Sequence, residues 1–395
     1  MKSTYSEMNL MRKPLLLDLS GAVEDDLDTG VAAHYGDLSG EQWALEDSRA
    51  ISDCGDLDIV TVSGPDRQSW LTTLSSQIIT GIQPADSREL LLLDANGRID
   101  FAAAVVDDGQ RTFLVVEGGR GPALVEFLER MKFMLRVEID NVSDSLGVIG
   151  EIVSRTDDPD GSMLRESRRQ QPGWVATWID PWPGVVEGGA TYTPTNTDHP
   201  ALLRTRAFHI IERNRAYDFA HDWISEKNGV AGRNAWEALR IEDHRPRQAR
   251  EVDDRTVPHE LDWLRTAVHL NKGCYCGQET IARIVNLGKP PRRLVLLQLD
   301  GSQSLPVKPG DDVEAAGRRV GSVTSVARHA DLGPIALAVV RRGLALDLVL
   351  DVVTEDGVVA AAQEVIVDPE GKSSASPDTR PGAELRGGLG VRKPQ

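Results

Sequence analysis

Short stretches of alternating apolar and polar residues follow one another between residues 51 and 145, and turn residues separate them. Such period-two stretches are typical of β-strands, whereas apolar residues spaced by three and four indicate helices. Asn96-Gly97 is a strong hairpin signal, and Ser63-Gly64-Pro65-Asp66 is typical of a helix start. The predicted order is strand 57–62, a helix from 63 to about 75, strands 90–93, 99–106 and 112–116, helix 123–131 and strand 135–139. This β-α-β-β-β-α-β order predicts an α+β domain close to ferredoxin-like, with its helices on one face of the sheet.

The rest of the chain has weaker or different patterns. Residues 151–200 predict an irregular segment with some strand, and residues 200–245 predict a largely helical one. Pro290-Pro291 interrupts the chain, and a small C-terminal β-barrel is indicated by the strands predicted beyond it, 294–299, 318–326, 335–340 and 346–353. We therefore predict five parts. They are an acidic N-terminal segment over 1–50, the first α+β domain over 51–150, a second α+β domain over 151–289, the barrel over 290–367 and a disordered Ser-, Pro- and Gly-rich tail over 368–395.

Three tryptophans, Trp174, Trp178 and Trp182, lie among prolines and glycines in the segment predicted as irregular. Aromatic anchors that hold a loop on the core are the favoured interpretation. A stacking platform, or a contact surface for a partner protein, is the alternative.

The charge balance excludes several classes of function. The 395 residues contain 44 Lys and Arg against 61 Asp and Glu, which gives a net charge of −17. General nucleic-acid binders and membrane-surface binders need a basic face, so we expect neither stable nucleic-acid binding nor membrane binding. Three cysteines are too few for a disulfide framework, and no apolar stretch is long enough for a membrane span or a secretory signal. These features predict a cytoplasmic location.

One basic segment stands out from the acidic background. Residues 264–293 carry an excess of five positive charges, because only Glu279 opposes six basic residues, Arg265, Lys272, Arg283, Lys289, Arg292 and Arg293. A local positive region in an acidic protein is a candidate anion site. The alternative, which the sequence leaves open, is that these side chains pair with the protein's own carboxylates.

Inside this segment, two glycines flank four residues in the octapeptide Lys272-Gly273-Cys274-Tyr275-Cys276-Gly277-Gln278-Glu279, and a helix-forming stretch follows. A tight loop that enters a helix N-terminus favours a thiolate or a bound anion, so we predict that Lys272 and the helix activate the Cys274 thiol. A small buried cysteine that packs a turn is the alternative. No metal site is predicted, because His269, Cys274 and Cys276 lack a fourth ligand.

The octapeptide resembles the K-G-C-Y-x-G-Q-E signature of the YgfZ-type folate-binding proteins, which are relatives of the glycine-cleavage T-protein, an aminomethyltransferase. Four further segments resemble T-protein motifs in the same order along the chain: V-S-G-P-D at 62–66, L-R-I-E at 239–242, the D…T-P-x-E approach to the signature at 251–263 and G-S-V-T-S at 321–325. The resemblance spans about residues 50–345.

This resemblance implies a T-protein-like three-domain ring around a cavity for tetrahydrofolate or a one-carbon derivative of it, with the N-terminal segment packed on the folate-binding region. It implies that Cys274 and Lys272 carry the chemistry, and that the folate is contacted by Arg240, Asp100, Tyr275, Gln278, Glu279 and Arg283. The implied role is support of the assembly or repair of iron–sulfur enzymes, and indirectly of tRNA modification, with these enzymes or assembly factors as partners.

The sequence departs from the T-protein at the carboxylates that handle the one-carbon unit. Aligned on Gly97, these aspartates fall at Phe101 and Ala102, and Asp100 is expected on the opposite face of the strand. An apolar side chain cannot stabilise an iminium-like charge, so we predict binding without glycine-cleavage transfer. The alternatives are an aminomethyltransferase that uses Asp100, and a scaffold without enzymatic activity that recruits cluster-assembly partners.

Overall fold

The computed structural model describes residue 12 and residues 14–84, 86–194 and 198–377 of the chain. The strands in this part are β1 Val23–Glu24, β2 Ala32–His34, β3 Ala50–Asp53, β4 Asp58–Ser63, β5 Ser87–Leu93, β6 Ile99–Asp107, β7 Arg111–Val116, β8 Glu138–Asn141, β9 Leu146–Ser154, β10 Trp174–Ile179, β11 Arg204–Glu212, β12 Gly229–Ala231, β13 Arg292–Leu299, β14 Asp312–Ala315, β15 Arg318–His329, β16 Gly333–Arg341, β17 Leu350–Thr354 and β18 Gly357–Val365. The helices are α1 Leu38–Glu46, α2 Arg67–Leu74, α3 Gly121–Lys132, α4 Ser162–Arg169, α5 Arg213–Ser225, α6 Arg233–Glu242, α7 Gln248–Glu251, α8 Leu264–Ala267 and α9 Gln278–Asn286, with 3₁₀ turns at Pro200–Leu203, Pro258–Leu261 and Gly301–Gln303.

The first sheet confirms the predicted order of elements between residues 57 and 141. Its strands are antiparallel neighbours in the order β5-β6-β7-β4-β8. Gly97 has a φ of +77° in the turn between β5 and β6, a conformation that glycine adopts without steric cost. Helices α2 and α3 pack on one face of this sheet, where Trp70 and Leu128 meet Val60 and Val62.

The second sheet has the order β10-β11-β9-β3-β12, and β12 is parallel to β3. Strands β3 and β9 straddle the predicted domain limits at 51 and 150 and belong to this sheet, because they pair with each other. The two sheets pack face to face, and Ile59 and Val115 of the first contact the core formed by Val148, Trp178 and Ile210 of the second.

Two predictions for the middle of the chain are wrong. Residues 204–212, predicted as helical, form β11, which pairs with β9 and β10. The strand is hidden in the sequence because Arg204 and Arg206 look like surface residues, whereas both are buried and paired with Asp243. The segment predicted as irregular with some strand contains the strand β10, in agreement with that prediction, but also α4, a helix that was not predicted.

The three tryptophans of this segment act as anchors. Trp178 and Trp182 are almost fully buried, and their Nε1 atoms donate to the Arg88 and Asp243 carbonyls at 2.7 and 2.9 Å. Trp174 is half-buried and donates to Thr177 Oγ1. An exposed contact surface made of these three rings is therefore excluded, since two of them lie inside the protein.

The C-terminal barrel is closed in the order β13-β16-β15-β14-β17-β18. The predicted strands correspond to β13, β15, β16 and β17, whereas β14 and β18 were not recognised in the sequence. The barrel has its own core, which includes Val295, Leu297, Val313, Ala338 and Val352.

Both ends of the described chain pack against the body. Leu15 and Leu16 contact Ile51, Ile149 and Trp223 on the outer side of the second sheet. At the other end, residues 368–377 contradict the prediction of disorder from 368, because Asp368 N and Ser374 N donate to the Tyr192 and Thr191 carbonyls at 2.9 and 2.8 Å. The rest of the predicted tail, 378–395, lies outside the described residues. Among the helices of the described ranges, none combines the length and the apolar character that a bilayer span requires.

Candidate functional site

A cavity of about 690 Å³, counted to its mouth, lies between the two sheets and is bordered by α6. Its aromatic walls are Trp178, Phe208, Trp236 and Trp263. Its charged side chains are Arg206, Arg233, Arg240, Arg245 and Arg247, together with Glu89, Glu117, Asp180 and Glu237. This volume and this mixture of apolar walls and a few polar groups are typical of sites for small organic ligands.

A buried ion-pair network joins two carboxylates of the cavity wall, Glu89 and Asp180, to one arginine. Arg245 donates to Glu89 Oε1 at 2.6 Å and to Asp180 Oδ2 at 3.0 Å. Glu89 also accepts from Trp263 Nε1 and Thr266 Oγ1, so its two oxygens are fully engaged. Burial raises the pKa of Asp180, and the positive charge of Arg245 opposes that rise. On this side of the cavity both carboxylates are therefore already engaged by the same arginine.

A second ion-pair network joins Glu237 and Glu251 through Arg240 and reaches the barrel. Arg240 donates to Glu237 Oε2 at 2.7 Å and to Glu251 Oε2 at 3.1 Å, and Glu251 Oε1 accepts from the hydroxyls of Thr324 and Ser325. Burial of Glu237 disfavours its charge, but Arg240 and Arg247 outweigh that effect and lower its pKa to about 2. The G-S-V-T-S segment of the barrel thus supports a cavity arginine through Glu251.

Arg247 completes this network on the N-terminal side. Its guanidinium donates to Glu117 at 3.0 Å and to Asp28 Oδ2 at 2.6 Å. Asp28 therefore brings the N-terminal segment to the cavity wall. With Glu117 paired in this way, every carboxylate named above as lining the cavity accepts from an arginine.

Three guanidinium nitrogens of cavity-lining residues have no hydrogen-bond partner among the described residues, Arg206 Nη1, Arg233 Nε and Arg245 Nη1. Arg233 Nε forms an ion pair with Asp28 Oδ2 at 3.5 Å, which leaves Arg206 Nη1 and Arg245 Nη1 as the nitrogens open to a ligand. Both side chains are buried, with exposed fractions of 7 and 10%. The guanidinium of Arg206 lies 4.4 Å from the ring centroid of Trp236, and its Nη2 donates to Asp243. Because an unsatisfied buried donor is costly, these two nitrogens are the groups that an anionic or acceptor-rich ligand would satisfy.

Strand β6 presents small residues to the cavity. Ala102 and Ala104 lie along its wall, whereas Phe101 packs on the other face of the sheet against Phe127. Asp100 is exposed and borders an outer cavity of about 760 Å³, which shares Glu117 and Gln248 with the central one. Burial and the nearby Asp94 raise the pKa of Asp100.

The octapeptide lies outside the cavity wall, at the turn between β5 and β6. Lys272 Nζ donates to the carbonyls of Thr72 and Ser75 at the end of α2, and it lies 4.6 Å from the ring centroid of Tyr275. Burial lowers the pKa of Lys272 to about 8. Gly277 packs so closely on Gly97 that an added Cβ would lie 2.7 Å from the Gly97 Cα atom.

The thiols of the octapeptide are exposed, in contrast to Cys54. Cys274 and Cys276 are both free and exposed, so the alternative of a buried structural cysteine is wrong for Cys274. Burial raises the pKa of Cys54 to about 12. Helix α9 begins at Gln278, so Cys274 lies in the loop before the helix, four residues ahead of its first residue.

The predicted folate contacts do not meet at one place. Arg240 lines the cavity, and Asp100 borders the outer cavity. Tyr275 is half-buried, with its pKa raised by burial, and Gln278 Nε2 donates to the Lys272 carbonyl at 3.4 Å. Glu279 and Arg283 are exposed on α9. None of the octapeptide residues belongs to the cavity lining within the described part of the chain.

Three arginines of the basic segment are engaged by the protein's own groups. Arg265 pairs with Asp262 at 2.9 Å, and Arg292 pairs with Glu260 at 2.7 Å. Arg293 is buried and donates to Gln363 Oε1 at 2.6 Å. Of the two interpretations of residues 264–293, engagement by the protein's own groups therefore holds for these three arginines.

Sequence reasoning missed the groups that give the cavity its character, which are Arg206, Arg245, Glu89 and Asp180. Arg206 lies in a strand that was predicted as helix, and Glu89 looked like a surface residue at the start of β5. The one sequence signal of this site is the run His244-Arg245-Pro246-Arg247, which follows the L-R-I-E segment after Asp243.

Two other features fit a folate site less well. A larger groove of about 1660 Å³ lies beside the barrel, but its charged walls are carboxylates, which repel an anionic tail: Asp198, Glu242, Glu364, Asp368 and Glu370. Glu46, Glu242 and His329 have the spacing of metal ligands. Arg204 donates to both of these glutamates, at 3.1 and 2.5 Å, and so supplies the positive charge at this point.

Comparisons with known proteins agree with this architecture. Residues 292–372 match the family model of the glycine cleavage T-protein C-terminal barrel domain. The solved aminomethyltransferase T of the glycine cleavage system from Bartonella henselae superimposes with a TM-score of 0.68 at 15% identity, over 89% of this chain and 95% of that one. Heterotetrameric sarcosine oxidase from Corynebacterium sp. U-96 aligns over 47% of this chain with a TM-score of 0.25, too low to indicate a shared fold.

A sequence relative is the Arabidopsis thaliana protein named "Putative transferase At1g60990, chloroplastic", with 42% identity over 94 residues. That match covers 24% of this chain and 21% of the relative. The comparisons and the closed barrel therefore show that this chain has the T-protein fold, with a C-terminal barrel that matches the T-protein barrel model over residues 292–372.

Proposed function

We propose that this protein binds tetrahydrofolate, or a one-carbon derivative of it, in the central cavity. The observation that carries this proposal is the pair of unpartnered guanidinium nitrogens, Arg206 Nη1 and Arg245 Nη1, in a cavity with aromatic walls. A folate offers a flat heteroaromatic ring to stack on such walls, and carbonyl and carboxylate oxygens for the two donors.

The same cavity supports binding without one-carbon transfer. Transfer needs a carboxylate that is available to a developing positive charge. The carboxylates on the described cavity wall are already paired with arginines, and β6 offers Ala102 and Ala104 instead of an acid. A ligand held here meets donors and aromatic rings but no uncommitted negative charge.

Calorimetric titration of the full chain with tetrahydrofolate tests the proposal. We expect binding by the wild type and by Cys274→Ala, because Cys274 does not line the cavity. Ala104→Phe places a ring in the cavity, and we expect it to weaken binding at least tenfold, which corresponds to about 1.4 kcal/mol. Absence of binding to the wild type, or equal binding by Ala104→Phe with its fold intact, would contradict the proposal.

The second candidate is an aminomethyltransferase that uses Asp100. It is favoured by the T-protein fold, and by the position of Asp100 in an outer cavity that shares Glu117 and Gln248 with the central one. Formation of methylene-tetrahydrofolate from an aminomethyl-lipoyl carrier, lost in Asp100→Asn, would establish this activity. No turnover by a protein that binds folate would leave the first proposal in place.

For the cellular role we propose support of iron–sulfur enzymes, on the resemblance of residues 272–279 to the folate-binding signature. The exposure of Cys274 is compatible with thiol chemistry at this loop. In a deletion strain, Cys274→Ala is expected to bind folate but to fail to restore cluster-enzyme activity and the tRNA modification that depends on it. Full restoration by this variant would exclude an essential thiol. A cytoplasmic location stays a prediction from the sequence.

A further inference from the structure

The octapeptide carries a second thiol that its signature does not require. Cys276 occupies the variable position of the signature, two residues after Cys274, and both side chains are exposed. Cys54 is fully buried and cannot meet either of them without unfolding. The chain thus presents two free thiols side by side on one short loop.

Covalent geometry places these two thiols within reach of each other. Residues two apart are separated by at most about 7 Å between Cα atoms, because each residue spans about 3.3–3.6 Å when extended. Disulfides join Cα atoms about 4.4–6.8 Å apart, so a modest closure of the loop is sufficient. Gly273 precedes the pair, and an added Cβ there would meet nothing within 4 Å, so the loop has free space on this side.

The surroundings of the two thiols differ in charge. Lys272 is two residues from Cys274 and lies close enough to it for their charges to interact, so the group facing Cys274 is an ammonium. Cys276 lies near Asp94 and Asp100, and its pKa is raised by burial and by these two carboxylates. The electrostatics therefore favour Cys274 as the attacking thiol and Cys276 as the thiol that reacts second.

We propose that Cys274 and Cys276 form a reversible disulfide when a hydroperoxide oxidises the loop. The Cys274 thiolate attacks the hydroperoxide, the O–O bond breaks, and the leaving oxygen takes a proton to become water or an alcohol. Cys274 is then a sulfenic acid. The Cys276 sulfur attacks the Cys274 sulfur, the S–O bond breaks, and the hydroxyl leaves with the Cys276 proton as water. Two thiols are oxidised by two electrons, and one hydroperoxide is reduced.

The bridge would change the loop as well as the sulfurs. Tyr275 lies between the two cysteines, and its ring packs against the Lys272 ammonium, which is held by the end of α2. A disulfide bond between Cys274 and Cys276 closes a small ring that contains the Tyr275 backbone. Because this backbone has to rotate when the ring closes, the contact between Tyr275 and Lys272 is expected to change. An exposed bridge in such a small ring is strained and is expected to be reduced readily by small thiols.

Peptide mapping of the folded full chain after treatment with hydrogen peroxide tests the proposal. Trypsin releases residues 273–283, which contain both cysteines. We expect the mass of this peptide to fall by two hydrogen atoms and its cysteines to resist alkylation. Treatment with a thiol reductant should restore both the original mass and the alkylation of the two cysteines. Cys54 is the internal control, and it should stay a thiol that is alkylated only after denaturation.

Two variants separate the roles of the thiols. Cys276→Ser is expected to leave Cys274 as a sulfenic acid that a dione reagent traps, without an intramolecular bridge. Cys274→Ser is expected to react with peroxide about tenfold more slowly, because the remaining thiol faces carboxylates rather than an ammonium. Both side chains are exposed, so unchanged circular dichroism is expected for both variants.

Three results would overturn the proposal. They are oxidation of Cys274 to sulfinic acid with Cys276 still alkylatable, a bridge between two chains on a non-reducing gel, and equal peroxide reactivity of the two variants. None of these results bears on folate binding, because neither cysteine lines the cavity.

Discussion

The central cavity and the octapeptide loop, residues 272–279, differ in how they treat their polar and reactive groups. In the cavity, charged groups are buried and each carboxylate is matched to an arginine, as Arg245 is to Glu89 and Asp180. In the loop, the ammonium of Lys272 is held by backbone carbonyls, and the thiols are left uncovered. The cavity is therefore built to keep its shape when a ligand enters, whereas the loop is built to expose reactive atoms.

This difference indicates that ligand binding suits the buried cavity and that chemical reactivity suits the exposed loop. Buried ion pairs are costly to break, so a cavity lined with them is pre-organised and binds with little rearrangement. Exposed groups on a short loop can react and move without disturbing a core. Binding and reactivity can accordingly be separated by mutation in this protein.

The largest expected effect comes from removing the arginine that neutralises the cavity. Arg245→Met leaves Glu89 and Asp180 buried without their cation, which costs about 3–5 kcal/mol of unfolding free energy. Urea unfolding measures this loss. The control is Arg136→Met, whose ion pair with Asp66 is exposed and screened by solvent, so a much smaller loss is expected. Equal losses of unfolding free energy in the two variants would contradict the expectation that the buried ion pairs contribute more than the exposed one.

A second prediction concerns acid stability of the cavity. The folded-state pKa of Glu237 is about 2, below its ordinary 4.5, so its carboxylate stabilises the fold above pH 4.5. This contribution, on the order of 3 kcal/mol, is lost as the pH falls through about 2. The difference in unfolding free energy between wild type and Glu237→Gln should therefore shrink between pH 5 and pH 2. A difference that stays constant over this range would show that Glu237 is not the titrating group.

A smaller effect is expected in the loop. Gly277 has a φ of +79°, and an added Cβ would lie 2.6 Å from the Asp94 carbonyl oxygen. Gly277→Ala is expected to cost about 1–3 kcal/mol, whereas Gly273→Ala, with open space around its Cα atom, should change stability little. Thermal unfolding of the two variants provides the measurement. If Gly273→Ala is as damaging as Gly277→Ala, the loop is held along its whole length rather than at Gly277.

The sequence predicted the fold better than the site. The first sheet follows from alternation and from the Asn96-Gly97 turn, since both are local signals. Strand β11 was missed because buried arginines look like surface residues until their partners, such as Asp243, are known. The same limitation hid the cavity, whose arginines and carboxylates come from distant parts of the chain. The octapeptide was recognised because its eight residues are contiguous, but its distance from the cavity lining depends on tertiary packing.

The hydroxyls of Thr324 and Ser325 hold Glu251, and Glu251 in turn holds Arg240 on the cavity wall. A small β-barrel that contributes no named aromatic or charged group to the pocket thereby acts as a brace for one of its cations. Ser325 Oγ also accepts directly from Arg240 Nη2 at 2.6 Å. A barrel without these two hydroxyls is therefore expected to leave Arg240 less firmly placed, and transplanting the hydroxyls is expected to restore its position.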